Sequence, residues 1–267
     1  MPYASANGIR LYYEQSGTGP DLLLIAGLGA HSGAWIPQRA AFARAHRVTL
    51  FDNRGAGRSD APDEPYSIRQ MADDTAALAD ALGIGRAHVV GASMGGMIAQ
   101  ELAINYPALV SRLVLACTRA RAGDVRRAMG PVDTWLRHAG LDRPALSLLM
   151  MPWVRTREFM QDEARVLRAV ELSRADPFPI SRHAYMRQHA AVMAHDTLSR
   201  LDRIQAPTLV LVGADDVLTP PWESEVIAAR IPDSILRVLP AGGHVFNDEF
   251  AADFNAAVLD FLGPERA

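Results

Sequence analysis

Lysine is absent from this sequence, and cysteine occurs only once. All 27 basic residues are arginine, and against 30 acidic residues they leave a formal net charge of −3. A nucleic-acid partner is not expected, because nucleic-acid binding requires a concentrated basic face. The single cysteine, Cys117, cannot form an internal disulfide. It lies in the apolar run RLVLACT, where we expect a buried structural thiol.

Long hydrophobic runs are missing as well. The longest, near residues 22–30, is far shorter than the roughly 20 residues that a membrane-spanning helix needs. The opening stretch MPYASANGIR lacks the basic and then apolar pattern of a secretory signal peptide. Of the 267 residues, 49% are hydrophobic, which is ample for a large core. We therefore expect a soluble cytoplasmic protein without a membrane partner. The sequence leaves open whether it forms a homo-oligomer.

Apolar strand-like runs alternate with helix-length amphipathic segments over residues 1–117. The runs are DLLLIAG (21–27), RVTLFD (47–52), AHVVGA (87–92) and RLVLACT (112–118), and the helical segments lie near 33–45, 67–82 and 94–105. Before them, Asn7-Gly8 between PYAS and IRLYYE indicates a tight β-hairpin. Near-continuous apolar strands separated by helices indicate a mostly parallel sheet with helices on both faces.

The pattern changes after the fourth of these runs. Helical windows punctuated by prolines replace the strands, near residues 122–139, 144–151, 157–173 and 181–195. A buried strand returns at PTLVLVGADD (207–216), followed by a helix near 222–230, a strand at 235–240 and a helix near 250–262. The simplest interpretation is one α/β core, residues 1–117 and 206–267, with a helical cap inserted at residues 118–205.

The stretch VVGASMGGMIAQ (89–100) places Ser93 between Gly91 and Gly95, where a predicted strand passes into a predicted helix. Such a turn holds a serine hydroxyl exposed at its apex, and the residues two positions before and after it must be small. The following helix points free N–H groups and its positive dipole end at that hydroxyl. The alternative is that these small residues only allow close packing, since Gly-x-Ser-x-Gly also occurs by chance.

A serine nucleophile needs a base, a group that orients the base, and donors for the developing oxyanion. His244 lies in AGGHVF, directly after the strand ILRVLP. Both Asp215 and Asp216 follow the strand TLVLVG, and spacing alone does not decide between them. His31 follows the first buried strand and could line a pocket. No histidine pair has the spacing of a helical zinc site with a nearby glutamate, so no metal is expected. The other histidines are interpreted as surface or packing residues: His46, His88, His138, His183, His189 and His195.

Taken together, these motifs resemble the α/β-hydrolase family over nearly the whole chain. GASMGG resembles its nucleophile elbow, AGLGAHSGAW (26–35) its oxyanion loop, and FDNRGAGRSDAP (51–62) the segment after the next strand. VGADDVLTP (212–220) and GGHVFNDEFAADFNAAVLDFL (242–262) resemble its acid and histidine segments. The resemblance implies an α/β fold with a mostly parallel eight-stranded sheet, helices on both faces and a helical cap.

The resemblance also implies a catalytic triad of Ser93, Asp216 and His244. The family orders its triad as serine, acid and histidine along the chain, and only His244 follows the next plausible acid. The family acid stands four residues before a proline. Pro220 therefore selects Asp216 over Asp215.

The implied oxyanion donors are the backbone N–H groups of Leu28 and Met94. Family members often have His-Gly at the start of the oxyanion loop, whereas this chain has Ala26-Gly27. The Leu28 amide is still available after that change. Without that histidine, the sequence leaves open which residues hold the oxyanion loop in place.

The implied activity is hydrolysis of a carboxylic ester or lactone through an acyl-enzyme on Ser93, without a cofactor, similar to 3-oxoadipate enol-lactonases and small-ester hydrolases. A serine at this position argues against dehalogenase or epoxide hydrolase chemistry, which needs a carboxylate nucleophile. The same triad also suits hydrolysis of a carbon–carbon bond, or perhydrolysis similar to that of cofactor-free haloperoxidases. A ligand receptor on a hydrolase fold is the non-enzymatic alternative.

Residues 118–205 carry 15 arginines against 10 acidic residues. This excess could attract an anionic substrate or simply belong to solvated helix faces. Methionine suits an adaptable apolar pocket as well as ordinary packing. Six of the ten methionines lie here: Met129, Met150, Met151, Met160, Met186 and Met193. The aromatic residues are Trp135, Trp153, Phe159, Phe178 and Tyr185. We expect this segment to select a small, largely apolar substrate.

Overall fold

The computed structural model describes residues 2–123, 135 and 138–263. Eight strands in this part of the chain form one sheet in the order β1-β2-β4-β3-β5-β6-β7-β8. They are β1 Tyr3–Ala6, β2 Ile9–Ser16, β3 Asp21–Ile25, β4 Arg47–Phe51, β5 Ala87–Ala92, β6 Val110–Ala116, β7 Thr208–Gly213 and β8 Ile235–Leu239. Strand β2 pairs antiparallel with β1 and β4, and all other pairs are parallel. The expected mostly parallel eight-stranded sheet is confirmed.

Ten α-helices are described. They are α1 Ile36–Phe42, α2 Ile68–Ala81, α3 Met94–Asn105, α4 Arg143–Val154, α5 Arg157–Gln161, α6 Glu163–Ala175, α7 Arg182–Ala194, α8 Pro221–Ala228, α9 Phe246–Glu249 and α10 Ala251–Leu262. Short 3-10 helices cover Ser32–Trp35 and Leu201–Arg203. None of the helices described here is long and apolar enough to cross a membrane.

Helices cover both faces of the sheet. On one face, α2 and α3 pack against the strands through side chains such as Leu78 and Ile98. On the other face, α1 and α10 do so through Phe42 and Phe254. Because both faces are covered, β5 and β7 are buried along their whole length. That burial explains why these strands read as continuous apolar runs.

The helix boundaries depart from the sequence prediction at two places. The helix expected near 33–45 is a 3-10 turn followed by α1, with Pro37 in the first turn of α1. The helix expected at 157–173 breaks at Asp162, whose φ and ψ of −94° and 93° leave the helical region. The Asp162 side chain accepts a hydrogen bond from the Arg165 N–H and so begins α6. The helix predicted near 122–139, including Met129, lies mostly outside the described residues.

Helices α4–α7 form the described part of the helical insertion between β6 and β7. Two of them, α4 and α7, contact loops that follow the carboxyl ends of strands. The Val154 carbonyl at the end of α4 accepts a hydrogen bond from the Val245 N–H, at 3.1 Å. On α7, the Gln188 side chain donates to the Arg54 carbonyl, at 2.8 Å. The insertion is thus fastened to the core beside the edge of the sheet where the candidate residues lie.

Two buried histidines, His88 in the core and His195 at the end of α7, are expected to make the stability of the fold depend on pH. Burial, together with the nearby His46, Arg112 and Arg86 charges, lowers the pKa of His88 to about 4. Burial likewise lowers the pKa of His195 to about 4, with only partial opposition from Glu101. Between pH 6.5 and 4 the unfolded chain therefore binds protons that the folded chain does not.

We expect the free energy of unfolding to fall as the pH is lowered through this window. The shifts of His88 and His195 correspond to about 3 kcal/mol each over the full window. Urea unfolding at several pH values between 7 and 5.5 would measure the part of this loss that occurs above the pH range where carboxylates titrate. The His88→Gln variant should show a shallower pH dependence than the wild type. An unchanged slope in a variant lacking both histidines would contradict the assignment.

Candidate active site

Ser93 lies at a sharp turn between β5 and α3. Its backbone has φ 56° and ψ −120°, a strained combination for a residue with a side chain. Close packing forces small residues beside it. A Cβ on Gly91 would overlap the Gly95 carbonyl oxygen, and a Cβ on Gly95 would overlap the carbonyl oxygen of Ile25 on the neighbouring strand. The glycines therefore allow close packing, as the alternative interpretation of this stretch proposed. The same turn also places Ser93 in the wall of a cavity.

The structure brings Ser93, His244 and Asp216 together. The Ser93 Oγ lies 2.8 Å from His244 Nε2, and His244 Nδ1 lies 3.0 Å from Asp216 Oδ2. These contacts fix the tautomer in which Nδ1–H donates to the carboxylate and Nε2 accepts from the serine hydroxyl. His244 and Asp216 are both buried. The arrangement can move a proton from the serine to the imidazole while the carboxylate holds the ring.

Asp216 is held as an ionised acceptor. Its Oδ1 accepts hydrogen bonds from the Leu218 and Thr219 N–H groups, at 2.9 and 2.8 Å. Burial raises its pKa, but the His244 ring and the bonds from Thr219 outweigh burial and hold the pKa below its ordinary value. Asp215 is exposed instead, and its carboxylate accepts from the Gly242 N–H. The structure thus separates two aspartates that spacing alone left equivalent.

Thr219 is a site residue that the sequence analysis missed. Its hydroxyl donates to Asp216 Oδ2 at 2.7 Å and lies 3.1 Å from His244 Nδ1. Thr219 is buried, so this hydroxyl can restrain both partners. The spacing between Asp216 and Thr219 could have indicated this contact, because an aspartate commonly accepts hydrogen bonds from the backbone N–H groups two and three residues later.

Leu28 and Met94, the predicted oxyanion donors, both line the cavity that contains Ser93. Met94 is the first residue of α3, so its N–H has no acceptor within the helix. Leu28 follows Gly27, where a Cβ would lie 3.3 Å from the Cβ of Ser93. The two residues therefore lie beside Ser93, one in the loop after β3 and the other at the start of α3.

The cavity above Ser93 has a volume of about 290 Å³. Its walls come from the loop after β3, the elbow, the segments after β6, β7 and β8, and helices α4 and α7. Most lining side chains are apolar, and they include Trp35, Met97, Met150, Val154, Val192 and Leu218. The main polar groups besides Ser93 and His244 are Arg119, Tyr185 and Asn247. This volume is at the small end of the range for ligand pockets.

The residues predicted to form a substrate pocket have different positions. Met150 and Tyr185 line the cavity, whereas Trp153 does not line it and is 39% exposed. His31 caps the 3-10 helix and lies 3.2 Å from Asp176.

Much of the arginine excess in the insertion lies on solvated helix faces, at Arg157, Arg165, Arg168, Arg174 and Arg182. Among residues 2–123, 135 and 138–263, no cluster of His, Cys, Asp and Glu could hold a metal ion.

Arg119 is a charged side chain in the cavity wall. Its Nη2 donates to the Leu218 carbonyl at 3.0 Å, and its Nη1 lies 4.0 Å from Glu223. Both side chains are buried. The carboxylate therefore offsets part of the positive charge in the cavity wall, although burial raises the pKa of Glu223.

The chain is similar to known proteins over nearly its whole length. The α/β-hydrolase fold family matches residues 20–251. A proposed carbamate hydrolase, RutD, from Azorhizobium caulinodans is 35% identical over 98% of both chains. A proposed non-heme bromoperoxidase, BpoC, from Mycobacterium tuberculosis is 33% identical over 97% of this chain and all of its own. The crystal structure of the enol-lactonase from Burkholderia xenovorans LB400 has a TM-score of 0.88 at 31% identity, covering 98% of this chain and 99% of its own. The chain is therefore a member of the α/β-hydrolase family.

Proposed function

We propose that this hydrolase cleaves a carboxylic ester or lactone through an acyl-enzyme on Ser93. The observation that carries the proposal is the continuous contact from Ser93 Oγ through His244 to Asp216, at 2.8 and 3.0 Å. The serine end of this chain of contacts opens into a mostly apolar cavity. This combination provides a nucleophile, a base, a group that orients the base, and a place for an acyl group.

In the first half of the reaction, the Ser93 oxygen attacks the substrate carbonyl carbon. His244 accepts the serine proton at Nε2, and Asp216 stabilises the resulting imidazolium. The carbonyl oxygen becomes an oxyanion that accepts hydrogen bonds from the Leu28 and Met94 N–H groups. His244 then gives its proton to the leaving alkoxide. In a lactone, that alkoxide stays attached to the acyl group.

Water completes the second half. His244 removes a proton from a water molecule, whose oxygen attacks the acyl carbon and forms a second oxyanion. As this oxyanion collapses, the bond to the Ser93 oxygen breaks and His244 returns the proton to that oxygen. The products are a carboxylic acid and the alcohol, or one hydroxy acid from a lactone. No step requires a metal or an organic cofactor. The amide donors are major contributors, because losing one such donor typically lowers the rate by about 10²–10³-fold.

The cavity favours a small, largely apolar acyl group. Its volume of about 290 Å³ and its walls of Met, Val, Leu and Trp side chains support this choice. Arg119 also faces Glu223 and donates to Leu218, so it offers less attraction to a negatively charged substrate than an isolated arginine would. We therefore propose that short-chain, uncharged esters and lactones are preferred over esters that carry a free carboxylate.

Hydrolysis of a carbamate is a second candidate. It is favoured by the relatives of about 35% identity whose names describe them as proposed carbamate hydrolases. A carbamate carbonyl also carries a leaving group and also forms a tetrahedral oxyanion. The same three residues would therefore act in the same roles, with a carbamoyl group on Ser93.

A substrate panel tests these proposals. We expect turnover of p-nitrophenyl acetate and butyrate and of a small aliphatic lactone, with slower turnover of a carboxylate-bearing ester of equal length. N-alkyl carbamates and aliphatic β-diketones in the same assay test the other bond classes. A fluorophosphonate probe should modify Ser93, which peptide mass spectrometry would locate.

Each outcome of the panel assigns or removes a bond class. Cleavage of diketones without turnover of any ester or lactone would replace the ester proposal with carbon–carbon bond hydrolysis. Faster turnover of carbamates than of esters would favour the second candidate. Turnover of the esters without modification of Ser93 would contradict the acyl-enzyme mechanism.

A further inference from the structure

The loop after β3, residues 26–31, is held by side chains from two segments, the one after β4 and helix α7. We call these residues the β3 loop. Asn53 donates to the Ala26 carbonyl at 3.1 Å. After the loop, the Ser32 N–H donates to the buried Asp52 carboxylate at 2.7 Å. These two contacts fix the ends of the loop, and the middle is held from the helical insertion.

The middle of the β3 loop is a tight turn. The Ala30 N–H donates to the Gly27 carbonyl at 3.2 Å, and Gly29 has φ 73°. Leu28 is not among the residues with positive φ, so the turn is of type II, with Gly29 at its third position. The peptide between Leu28 and Gly29 lies at the centre of this turn, where its N–H and carbonyl form no hydrogen bond within the turn.

Gln188 on α7 holds that central peptide. Its Oε1 accepts a hydrogen bond from the Gly29 N–H at 2.9 Å, and its Nε2 donates to the Arg54 carbonyl at 2.8 Å. The side chain is completely buried. Both ends of the amide are used, and since one partner is a donor and the other an acceptor, only one orientation of the amide satisfies both. The side chain is therefore clamped between two backbone groups of the core.

The same helix covers the turn and the cavity. Tyr185 precedes Gln188 by one helical turn, and its ring lies 3.1 Å from where a Cβ on Gly29 would be. Val192, one turn after Gln188, lines the cavity. Residues three and four positions apart share a helix face. One face of α7 thus contacts both the turn that carries Leu28 and the space above Ser93.

We propose that Gln188 is a positioning residue for the oxyanion hole. By fixing the Leu28–Gly29 peptide it holds the turn, and through the turn it positions the preceding Gly27–Leu28 peptide that carries the Leu28 N–H. This role rests on the proposed serine mechanism. Gln188 supplies support that this chain, with Ala26-Gly27 in the place of His-Gly, does not obtain from a histidine at position 26. It also makes the geometry of the oxyanion hole depend on the docking of α7.

The Gln188→Met variant tests this role, because methionine fills a similar volume and removes both hydrogen bonds. We expect kcat to fall by about 10–100-fold, less than for complete loss of a donor, with little change in KM. The affinity for an alkyl boronic acid, whose adduct on Ser93 places an oxygen in the oxyanion hole, should fall by a similar factor. The Gln188→Glu variant should recover most of the activity where its buried carboxyl is protonated, because it then provides the same acceptor and donor.

Gln100→Met is the matched control. Gln100 is also fully buried, and it bonds to the Arg119 carbonyl and to Thr197 rather than to the β3 loop. We expect this variant to lose stability to urea without the loss of kcat and boronate affinity. Rates are expressed per folded site, measured by titration with the fluorophosphonate probe.

The outcomes separate this inference from the proposed function. Wild-type protein that neither turns over the ester panel nor reacts with the probe contradicts the proposed function itself. An active wild type with Gln188→Met of equal kcat and equal boronate affinity overturns the positioning role. Equal losses in Gln188→Met and Gln100→Met would also overturn it, since they would reflect general destabilisation. If Gln188→Met does not fold, the test falls on Gln188→Glu. The positioning role is contradicted if the activity of Gln188→Glu is the same whether its carboxyl is protonated or ionised.

Discussion

Replacing Ser93 with alanine is expected to lower kcat for a p-nitrophenyl ester by about 10⁴–10⁶-fold. The change removes the oxygen that contacts His244 Nε2 at 2.8 Å, so no acyl-enzyme can form. The backbone conformation of φ 56° remains equally strained for alanine, which also carries a Cβ, so folding should be little affected. Initial rates and the affinity for a non-hydrolysable substrate analogue, measured on the same preparation, would test this.

Ser5→Ala is the control, because Ser5 is exposed on the edge strand β1. Its rate should equal that of the wild type. Residual activity of Ser93→Ala within tenfold of the wild type would mean that another nucleophile is used. A wild type that binds a ligand tightly without turning it over, with binding unchanged in Ser93→Ala, would favour the receptor alternative.

Asp216→Asn is expected to lower kcat by about 10⁴-fold. The asparagine amide would place a donor against His244 Nδ1, where the carboxylate now accepts at 3.0 Å. The imidazole would then favour the tautomer that has its proton on Nε2, which cannot accept from Ser93. The bonds from the Leu218 and Thr219 N–H groups can still be made to the amide oxygen, so the loss should be chemical rather than structural. Steady-state kinetics and a urea unfolding curve would separate the two.

Asp215→Asn provides a control that differs by a single position. Asp215 is exposed and accepts from the Gly242 N–H, a bond that asparagine can also make. We expect near wild-type kcat. If Asp215→Asn loses activity and Asp216→Asn does not, the acid has been assigned to the wrong residue.

The turn that carries the candidate nucleophile could be anticipated because its signals are local. The elbow around Ser93 needs a buried strand, two glycines at fixed spacing and a helix, and all of these lie within about a dozen residues of sequence. The eight-stranded sheet was likewise anticipated from apolar runs and the family resemblance. Helix ends were less accurate. The break at Asp162 depends on one side chain that caps a helix inside an otherwise helical pattern.

The supporting groups could not be anticipated in the same way. Gln188 contacts Gly29 across 159 positions of sequence, and a glutamine on a polar helix gives no local sign of being buried. Thr219 acts through a hydroxyl whose direction depends on the folded loop. Met150 lines the cavity, whereas Met151 is buried elsewhere. Which of the two faces the cavity depends on the rotation of α4 about its axis. Residues of these kinds are recognised only when the tertiary contacts are known.

The distribution of the three residues over the sheet has a consequence for biosynthesis. Ser93 follows β5, Asp216 follows β7 and His244 follows β8, the strand at the far edge of the sheet. A growing chain emerges from the ribosome with its N-terminal part first. The turn that carries Ser93 therefore emerges long before His244. On the proposed mechanism, every nascent or truncated copy that lacks the last strand and residue 244 carries an unactivated hydroxyl. Such fragments cannot attack the cell's esters, and hydrolysis begins only when the edge of the sheet is complete.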